Sequence, residues 1–219
     1  VAVTVTNSAA HFDANDDGGI NIGDVQSIAG RVPSDNGQPG FDYRYDVDRD
    51  GDIDTGDADW IAGRWASDHL CCPITYTTGG GVVSYDLPDL PAVGERLTAT
   101  VYISEATDLG GFEMTVDFDP AVLRFEDASL GRFLGSTGRT VVPLDTITEG
   151  VASVVVGGYS LGDQATVAGD GPLAKLSFEV LDAGEPGFAL HDVLLADTMG
   201  VVTHAGVSDG GAGDDQQSV

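Results

Sequence analysis

Positive charge is scarce in this sequence. Lysine and arginine together number 9 against 36 aspartates and glutamates, so the formal net charge is −27, and Lys175 is the only lysine. A field of this sign repels nucleic acid and anionic membranes, which excludes both as partners. The acidic residues are mostly aspartate, which suits turns and cation-binding loops better than surface helices. A high-salt habitat is a second explanation of the same bias.

Cysteine is almost absent, since the chain contains only Cys71 and Cys72, side by side. Ordinary disulfides join Cα atoms about 4.4–6.8 Å apart, whereas neighbours across a trans peptide lie about 3.8 Å apart. A bond between these two residues would therefore close a strained ring. Two thiols, a vicinal disulfide and bridges to another chain all stay open as their state.

Long apolar runs are absent as well. No stretch of about 18 apolar residues occurs, which excludes a membrane-spanning helix. Hydrophobic residues nevertheless make up 42% of the 219 residues. Together with Val-rich alternating stretches, that content predicts a folded chain with room for two modest domains rather than a disordered one.

An internal repeat occupies the first third of the chain. The segment from Asp13 to Asp35 lies over the segment from Asp46 to Asp68 without a gap after a shift of 33 residues. In each copy an Asp-rich stretch precedes apolar residues at spacings of three and four, which predicts a short amphipathic helix. Two copies predict a compact pair in which the apolar faces of the helices pack on each other.

The Asp-rich stretches, DANDDGGINIGD and DVDRDGDIDTGD, have the spacing of calcium loops. Calcium takes about 6–8 oxygen ligands, and such a loop supplies them from its positions 1, 3, 5, 7, 9 and 12. Gly18 and Gly51 stand where the loop must turn sharply, and Ile20 and Ile53 are expected to link the loops through the core. The predicted ligands of two Ca²⁺ ions, with Gly19 and Asp52 contributing carbonyl oxygens, are Asp13, Asn15, Asp17, Gly19, Asn21 and Asp24, and Asp46, Asp48, Asp50, Asp52, Asp54 and Asp57.

Aspartate at the last loop position, where sensors usually have glutamate, indicates a structural site rather than a switch. The duplicated D-x-[ND]-x-D-G-x-I-x-x-G-D pattern with a following helix resembles dockerin over about residues 12–69. The resemblance implies one helix after each loop, folding that requires calcium, and a partner domain. Dockerins often place a Ser/Thr pair at loop positions 10 and 11 to recognise that partner. The corresponding partner-binding pairs here are altered to Ile22-Gly23 and Thr55-Gly56.

From about Gly79 the sequence changes to short alternating or apolar segments separated by Gly, Pro and Asp clusters. They predict an antiparallel β-sandwich with strands at 97–103, 112–118, 151–159, 173–181 and 188–196. The segments VGERLTATVYIS, GGFEMTVDFDPAVLRFEDAS, GPLAKLSFEVL and HDVLLADTMGVV resemble cohesin, over about residues 81–207. This resemblance implies a jelly-roll-like sandwich with one face that binds a dockerin.

The N-terminal VAVTVT alternates Val1, Val3 and Val5 with smaller or polar residues, which predicts a strand. A helical calcium module has no sheet for it, so strand addition to another subunit is one expected use. The whole prediction is a mainly β chain with a small α calcium-binding module. Its parts are an N-terminal strand (1–11), a dockerin-like domain (12–69), a linker (70–80), a cohesin-like sandwich (81–207) and an acidic Gly-rich tail (208–219).

Signatures of catalysis are missing. The four histidines have no zinc-ligand spacing, and no nucleophile elbow, Walker loop or dinucleotide fingerprint occurs. His191 is expected to be a strand residue, and paired carboxylates are expected to be solvated surface. The sequence therefore predicts that the chain is not an enzyme.

A dockerin-like unit (the plug) and a cohesin-like sandwich (the socket) in one chain predict head-to-tail self-assembly into a ring or filament. The connector from Asp68 to Gly81 looks too short for the plug to fold back easily onto the socket of its own chain. An adaptor of a cellulosome-like complex, with different dockerin-bearing and cohesin-bearing partners, is the alternative. A surface or carbohydrate-associated module is a third hypothesis. The calcium requirement favours an extracellular or cell-surface setting.

Overall fold

The computed structural model describes residues 12–68, 76–162 and 164–208. The predictions for Val1, Val3 and Val5, for Cys71 and Cys72, and for the tail beyond Ser208 lie outside these residues. Neither described helix has the length and hydropathy that a membrane crossing requires. The described helices and strands are α1 (Ile22–Ala29), β1 (Ser34–Asp35), β2 (Asp52–Ile53), α2 (Thr55–Asp68), β3 (Thr78–Asp86), β4 (Arg96–Asp117), β5 (Leu123–Leu130), β6 (Thr140–Pro143), β7 (Ile147–Glu149), β8 (Ser153–Leu161), β9 (Val167–Val180), β10 (Ala189–Asp197) and β11 (Val202–Ser208).

The strands form a sandwich whose two layers share β4. The first half of β4 pairs with β3 on one side and β9 on the other, and β5 extends this layer beyond β9. The second half of β4 pairs with β8 and β10, and both β6 and β7 pair with β8. Strand β11 pairs with β10 and with β3 and so connects the layers.

The predicted boundary between strands at 97–103 and 112–118 is wrong, because both segments belong to β4. The strand bends where Glu105 and Asp108 adopt φ angles of 58° and 57°, and its pairing with β9 shifts register there. Bulges of this kind allow one strand to turn from one layer into the next. The polar stretch between the two segments is therefore a corner rather than a loop.

Two further details differ from the prediction. Among the described strands the pairs are antiparallel, as expected, except that β11 runs parallel to β3. Strand β3 begins at Thr78, so residues 78–80 belong to the sandwich and not to the linker.

The core between the two layers is apolar and aromatic. Phe178 stands at the centre of an aromatic group, with ring centroids 5.2 Å from Phe118, 5.6 Å from Phe125 and 6.0 Å from Phe188. Each large apolar side chain buried in this way contributes about 1.5–3 kcal/mol to folding. The inward residues alternate along the strands and include Val101, Met114, Val156, Leu176 and Leu195.

The repeat unit, residues 12–68, has one helix after each Asp-rich loop, as the sequence predicts. Helices α1 and α2 pack on each other, and the predicted link through Ile20 and Ile53 is confirmed because both side chains lie in one shared apolar cluster. That cluster also includes Val25, Ile28, Ala29, Ala58, Ile61 and Trp65.

The repeat unit lies against the sandwich of its own chain. Helix α1 contacts β4, β8 and β10, and the apolar cluster of the unit continues into Val155, Tyr159 and Leu194. The expectation that the connector is too short for folding back is therefore wrong. The reason is geometric: Tyr76, which immediately precedes β3, already lies beside the first Asp-rich loop, with its hydroxyl 2.7 Å from the Asn21 amide nitrogen.

Candidate interface and calcium loops

In the middle of the second layer, β8 and the second half of β4 are buried on both faces. Along β4, Phe112 and Met114 point into the sandwich core, so the alternation of a strand directs Gly111, Glu113 and Thr115 outward towards the repeat unit. All five residues are buried. This part of β4 therefore has no solvated side, and its outward face belongs to the surface on which the repeat unit packs.

Helix α1 docks through one stripe of uncharged residues. Gly23, Gln26, Ser27 and Gly30 follow Ile22 at helical spacing, and every residue from 22 to 29 is buried. The side chain of Ile22 lies over Gly111, where an added Cβ would come within 3.0 Å of the Ile22 side chain. The other face of α1 packs on α2, so the helix is covered on two sides.

The turn between β10 and β11 packs against the middle of α1 at Gly200. Gly200 has a φ angle of +85°, a conformation that favours glycine. A side chain at Gly200 would also overlap the Ser27 hydroxyl. The Ser27 hydroxyl donates a hydrogen bond to the Met199 carbonyl at 3.3 Å, so this turn fits the helix backbone closely.

Gln26 forms a two-way hydrogen-bonded pair with β8. Its Nε2 donates to the Ser160 carbonyl at 3.2 Å, and the Ser160 N–H donates to its Oε1 at 3.3 Å. Both residues are fully buried. A buried amide is costly unless both ends are satisfied, so this pair fixes the position of α1 along β8.

Glu113 is the charged group at the centre of the interface. One of its carboxylate oxygens, Oε2, accepts the N–H of Ile22, at the start of α1, at 2.9 Å. The same oxygen accepts the indole N–H of Trp65 from α2 at 2.5 Å. The carboxylate thus satisfies a helix N–H that has no partner within the helix. Burial raises the pKa of Glu113 to about 7, although these two hydrogen bonds act in the opposite direction.

Helix α2 adds a second polar contact through Asp59. The Tyr159 hydroxyl donates to Asp59 Oδ1 at 3.0 Å, and burial together with this carboxylate raises the pKa of Tyr159. Asp59 is the copy of Gln26 after the shift of 33 residues. The two copies of the repeat therefore reach neighbouring residues of β8 with different side chains.

The two predicted partner-binding pairs have different surroundings. Ile22 and Gly23 are buried against the sandwich, whereas Thr55 and Gly56 are exposed. An added Cβ at Gly23 would meet the Val202 side chain. Only the first pair therefore lies in the interface with the sandwich.

The first Asp-rich loop closes onto the start of α1. Asp24 accepts the backbone N–H groups of Asn21 at 2.8 Å and of Asn15 at 3.3 Å, and the Asn21 side chain caps the helix by accepting from the Gly23 N–H. Asp13 accepts the N–H groups of Asp17 and Gly18. Burial raises the pKa of Asp24 to about 8, although the hydrogen bonds from Asn21 and Asn15 act in the opposite direction.

The second loop closes in the same way through Asp57, which accepts the N–H groups of Val47, Asp48 and Asp54. Its carboxylates form two groups whose oxygens lie within 4.8 Å of one another, Asp46 with Asp48 and Asp50, and Asp52 with Asp54 and Asp57.

A hard cation suits the second loop. The oxygens Oδ1 of Asp46 and of Asp52 are buried without a hydrogen-bond partner, and such buried acceptors are costly unless an ion or another donor satisfies them. An all-oxygen set of this kind is the donor set that Ca²⁺ prefers. The residues present therefore fit calcium.

Several interface residues have no motif in the sequence, namely Gln26, Tyr76, Glu113, Tyr159, Ser160 and Gly200. His191 lies in β10, as predicted, and contacts Asp117 and Asp192 at the exposed surface. The Gly-Gly pairs at 110–111 and 157–158 are a usable signal for the interface, because glycines of both pairs lie opposite interface residues in the ladder between β4 and β8. Gly111 pairs with Tyr159, and Gly157 pairs with Glu113.

Comparison with known proteins identifies the sandwich half. A family model for the cohesin domain matches residues 83–209, more than half of the chain. No curated protein matches the sequence.

Solved structures that resemble the chain are cohesins. The second type II cohesin module of the adaptor ScaA scaffoldin from Acetivibrio cellulolyticus is 19% identical, with a TM-score of 0.47, and the match covers 60% of this chain and 87% of that one. A non-cellulosomal cohesin from the archaeon Archaeoglobus fulgidus is 19% identical, with a TM-score of 0.44 and coverage of 59% and 86%. The cohesin module of a family 33 glycoside hydrolase from Clostridium perfringens is 14% identical, with a TM-score of 0.49 and coverage of 62% and 99%.

Proposed function

Since the chain belongs to the cohesin family, we propose that it is a non-catalytic adaptor whose binding face is covered, in the isolated chain, by its own dockerin-like repeat unit. Cohesin domains are protein–protein interaction modules that bind dockerins. In the proposed adaptor, a dockerin-bearing partner competes with residues 12–68 for the sandwich, and a cohesin-bearing partner competes with the sandwich for the repeat unit.

The observation that supports this proposal best is the Glu113 contact. A carboxylate from the middle of the sandwich face accepts one N–H from each helix of the repeat unit, which ties both copies of the repeat to one point. The Gln26–Ser160 pair and the Asp59–Tyr159 bond flank this point. Mutually satisfied polar contacts of this kind, two of them buried, are typical of a specific interface rather than of accidental packing.

We further propose that two Ca²⁺ ions hold the repeat unit in its docking conformation, through the twelve residues predicted from the sequence. Calcium would supply positive charge beside carboxylates that burial otherwise penalises, including Asp24 and the unpartnered oxygens of Asp46 and Asp52. The calcium concentrations that such loops require favour a place outside the cell or at its surface.

Head-to-tail self-assembly is the second candidate. It is favoured by the fit of the repeat unit to this chain's own sandwich, because a second copy offers the same socket. Exchange of an identical unit between copies is a low-cost route to assembly. The two candidates differ in whether the contacts described above lie within one chain or between chains.

Light scattering on the purified chain, with calcium and with chelator, tests the proposal. We expect a monomer mass at all protein concentrations in calcium, because the socket is already occupied. Chelation should leave the mass unchanged but increase the hydrodynamic radius, because the metal stabilises only the ordered repeat unit. A mass that increases with concentration in calcium would favour self-assembly. A mass and a hydrodynamic radius that are the same with calcium and with chelator would contradict both candidates.

A further inference from the structure

The two calcium loops differ at positions 3 and 9. The first loop has asparagine at both, Asn15 and Asn21, whereas the second has aspartate at both, Asp48 and Asp54. A carboxylate and an amide each offer oxygen to a cation, but only the amide also has N–H groups to donate. The difference therefore concerns the N–H groups, which only the two asparagines can donate.

In the first loop both amides donate to the Asp17 carboxylate and also to residues outside the repeat unit. Asn15 Nδ2 lies 3.1 Å from the carbonyl oxygen of Gly200, in the turn between β10 and β11. Asn21 Nδ2 lies 2.7 Å from the hydroxyl of Tyr76, just before β3. The Tyr76 hydroxyl in turn lies 3.4 Å from Asp17 Oδ2. Three of the predicted metal ligands in this loop are thus in contact with residues outside the repeat unit.

In both loops the side-chain oxygens at positions 3 and 9 accept backbone N–H groups of their own loop, from Asp17 and Gly23 in the first. In the second loop the aspartates make the same contact but have no N–H group to donate outward. Asp48 Oδ1 accepts the N–H of Asp50 at 3.1 Å, and Asp54 Oδ1 accepts the N–H of Gly56 at 2.6 Å. Both aspartates are exposed, whereas Asn21 is buried and Asn15 is half-buried. The second loop therefore faces solvent where the first faces the sandwich.

We propose that calcium in the first loop controls docking of the repeat unit, whereas calcium in the second loop stabilises the unit without affecting docking. A metal ion bound to the amide oxygens fixes Asn15 and Asn21 with their N–H groups towards Gly200 and Tyr76. Coupling of this kind is reciprocal, so docking should also tighten calcium binding in the first loop. This inference rests on the proposed function.

A matched pair of substitutions in the full chain tests it. Asn15→Asp retains an oxygen for calcium but replaces the donor by a carboxylate that faces the Gly200 carbonyl. Asp48→Asn makes the reverse change at the same position of the second loop. Tyr76→Phe removes the acceptor of Asn21 that lies outside the loop, keeps the bond from Asn21 to Asp17 and leaves the loop sequence intact.

Docking is measured by fluorescence. The chain has two tryptophans, and Trp60→Phe leaves only Trp65, which is fully buried and donates to Glu113. Release of the repeat unit should shift its emission to longer wavelength. Calorimetry counts the calcium ions bound per chain and shows that each variant still folds around its metal.

We expect the calcium concentration at which Trp65 becomes buried to rise about tenfold in Asn15→Asp and in Tyr76→Phe, because each removes a hydrogen bond between the first loop and a residue outside the repeat unit. Asp48→Asn should weaken calcium binding in the second loop but shift this midpoint by about twofold or less, as exposed substitutions usually do. Equal shifts in Asn15→Asp and Asp48→Asn, or none in either, would overturn the inference. If the emission wavelength of Trp65 in the parent chain does not change with calcium, the proposed function itself is overturned.

Discussion

Replacing Glu113 by alanine is expected to release the repeat unit from the sandwich, whereas Glu113→Gln is expected to leave it docked. Alanine removes the acceptor of two buried N–H groups, those of Ile22 and Trp65, which costs about 2–5 kcal/mol. Glutamine has nearly the same shape, and its single oxygen can replace Oε2, the atom that accepts both bonds. Trp65 emission in the Trp60→Phe background should therefore shift to longer wavelength for the alanine variant only.

The same pair of variants predicts a pH dependence. The carboxyl of Glu113 has an ordinary pKa of 4.5 and a pKa of about 7 when buried, so docking favours its protonated form. Its contribution to docking is then full below about pH 4.5 and is lost as the pH rises through about 7. In saturating calcium, the unfolding temperature of Glu113→Gln relative to the parent chain should increase across this range. A difference that stays constant with pH would show that the carboxyl does not titrate in the interface.

A second large effect is expected for Ile22→Asp. Ile22 is fully buried over Gly111 and next to Glu113, so an aspartate there loses apolar burial and adds a buried negative charge. We expect docking to weaken by about 4 kcal/mol or more. Trp65 emission and the hydrodynamic radius should both report the release.

Thr55→Asp is the matched control for this variant. Thr55 is the first residue of α2, as Ile22 is of α1, so an aspartate interacts in the same favourable sense with both helix dipoles. Thr55 is exposed, and we expect a change within about 0.5 kcal/mol. If Thr55→Asp released the repeat unit as strongly as Ile22→Asp, the assignment of the interface to the first copy would be wrong.

Mixing the two damaged chains gives an independent check. The Ile22→Asp chain keeps an intact sandwich face, and the Glu113→Ala chain keeps an intact repeat unit. Each alone should be a monomer with its two halves apart, whereas the mixture should form a one-to-one complex through the undamaged surfaces. A mixture that stays monomeric would count against a specific plug-and-socket contact.

Most of the architecture can be predicted from the sequence, because the patterns that indicate loops, helices and strands are local. The duplicated loops and the spacing of Val25, Ile28 and Ala29 predict two loop-helix units, and the structure has one helix after each loop. The later segments predict the strands of the sandwich. The sequence pattern does not predict the corner in β4, because a bulge and a loop look alike in sequence. Both are short polar interruptions between apolar segments.

The interface was harder to predict because it depends on contacts between distant residues. The sequence predicts that helix α1 is amphipathic. The face opposite its apolar residues, with Gln26, Ser27 and Gly30, is uncharged. In a chain with 36 acidic residues, an uncharged helix face indicates burial rather than solvation. The strand segment SVVVGG in β8 likewise reads as continuously apolar because both of its faces are covered.

Glu113 shows the limit of such reasoning. In the sequence it is one of two acidic residues in FEMTVDF, and strand alternation places it opposite to Phe112 and Met114 and therefore on a surface. Only the packing of the repeat unit onto that surface buries it. Asn15 and Asn21 similarly read as ordinary calcium ligands until Gly200 and Tyr76 are found beside them.

The most direct test is a nuclear Overhauser measurement between the Ile22 methyl groups and the Gly111 α-protons in the calcium-loaded chain. It is recorded on two samples. One is uniformly labelled protein, and the other is a mixture of labelled and unlabelled protein whose spectrum is filtered for contacts between chains. Docking of the repeat unit on its own sandwich predicts the contact in the uniformly labelled sample and its absence from the filtered spectrum. A contact seen only between chains, or in neither sample, would contradict it.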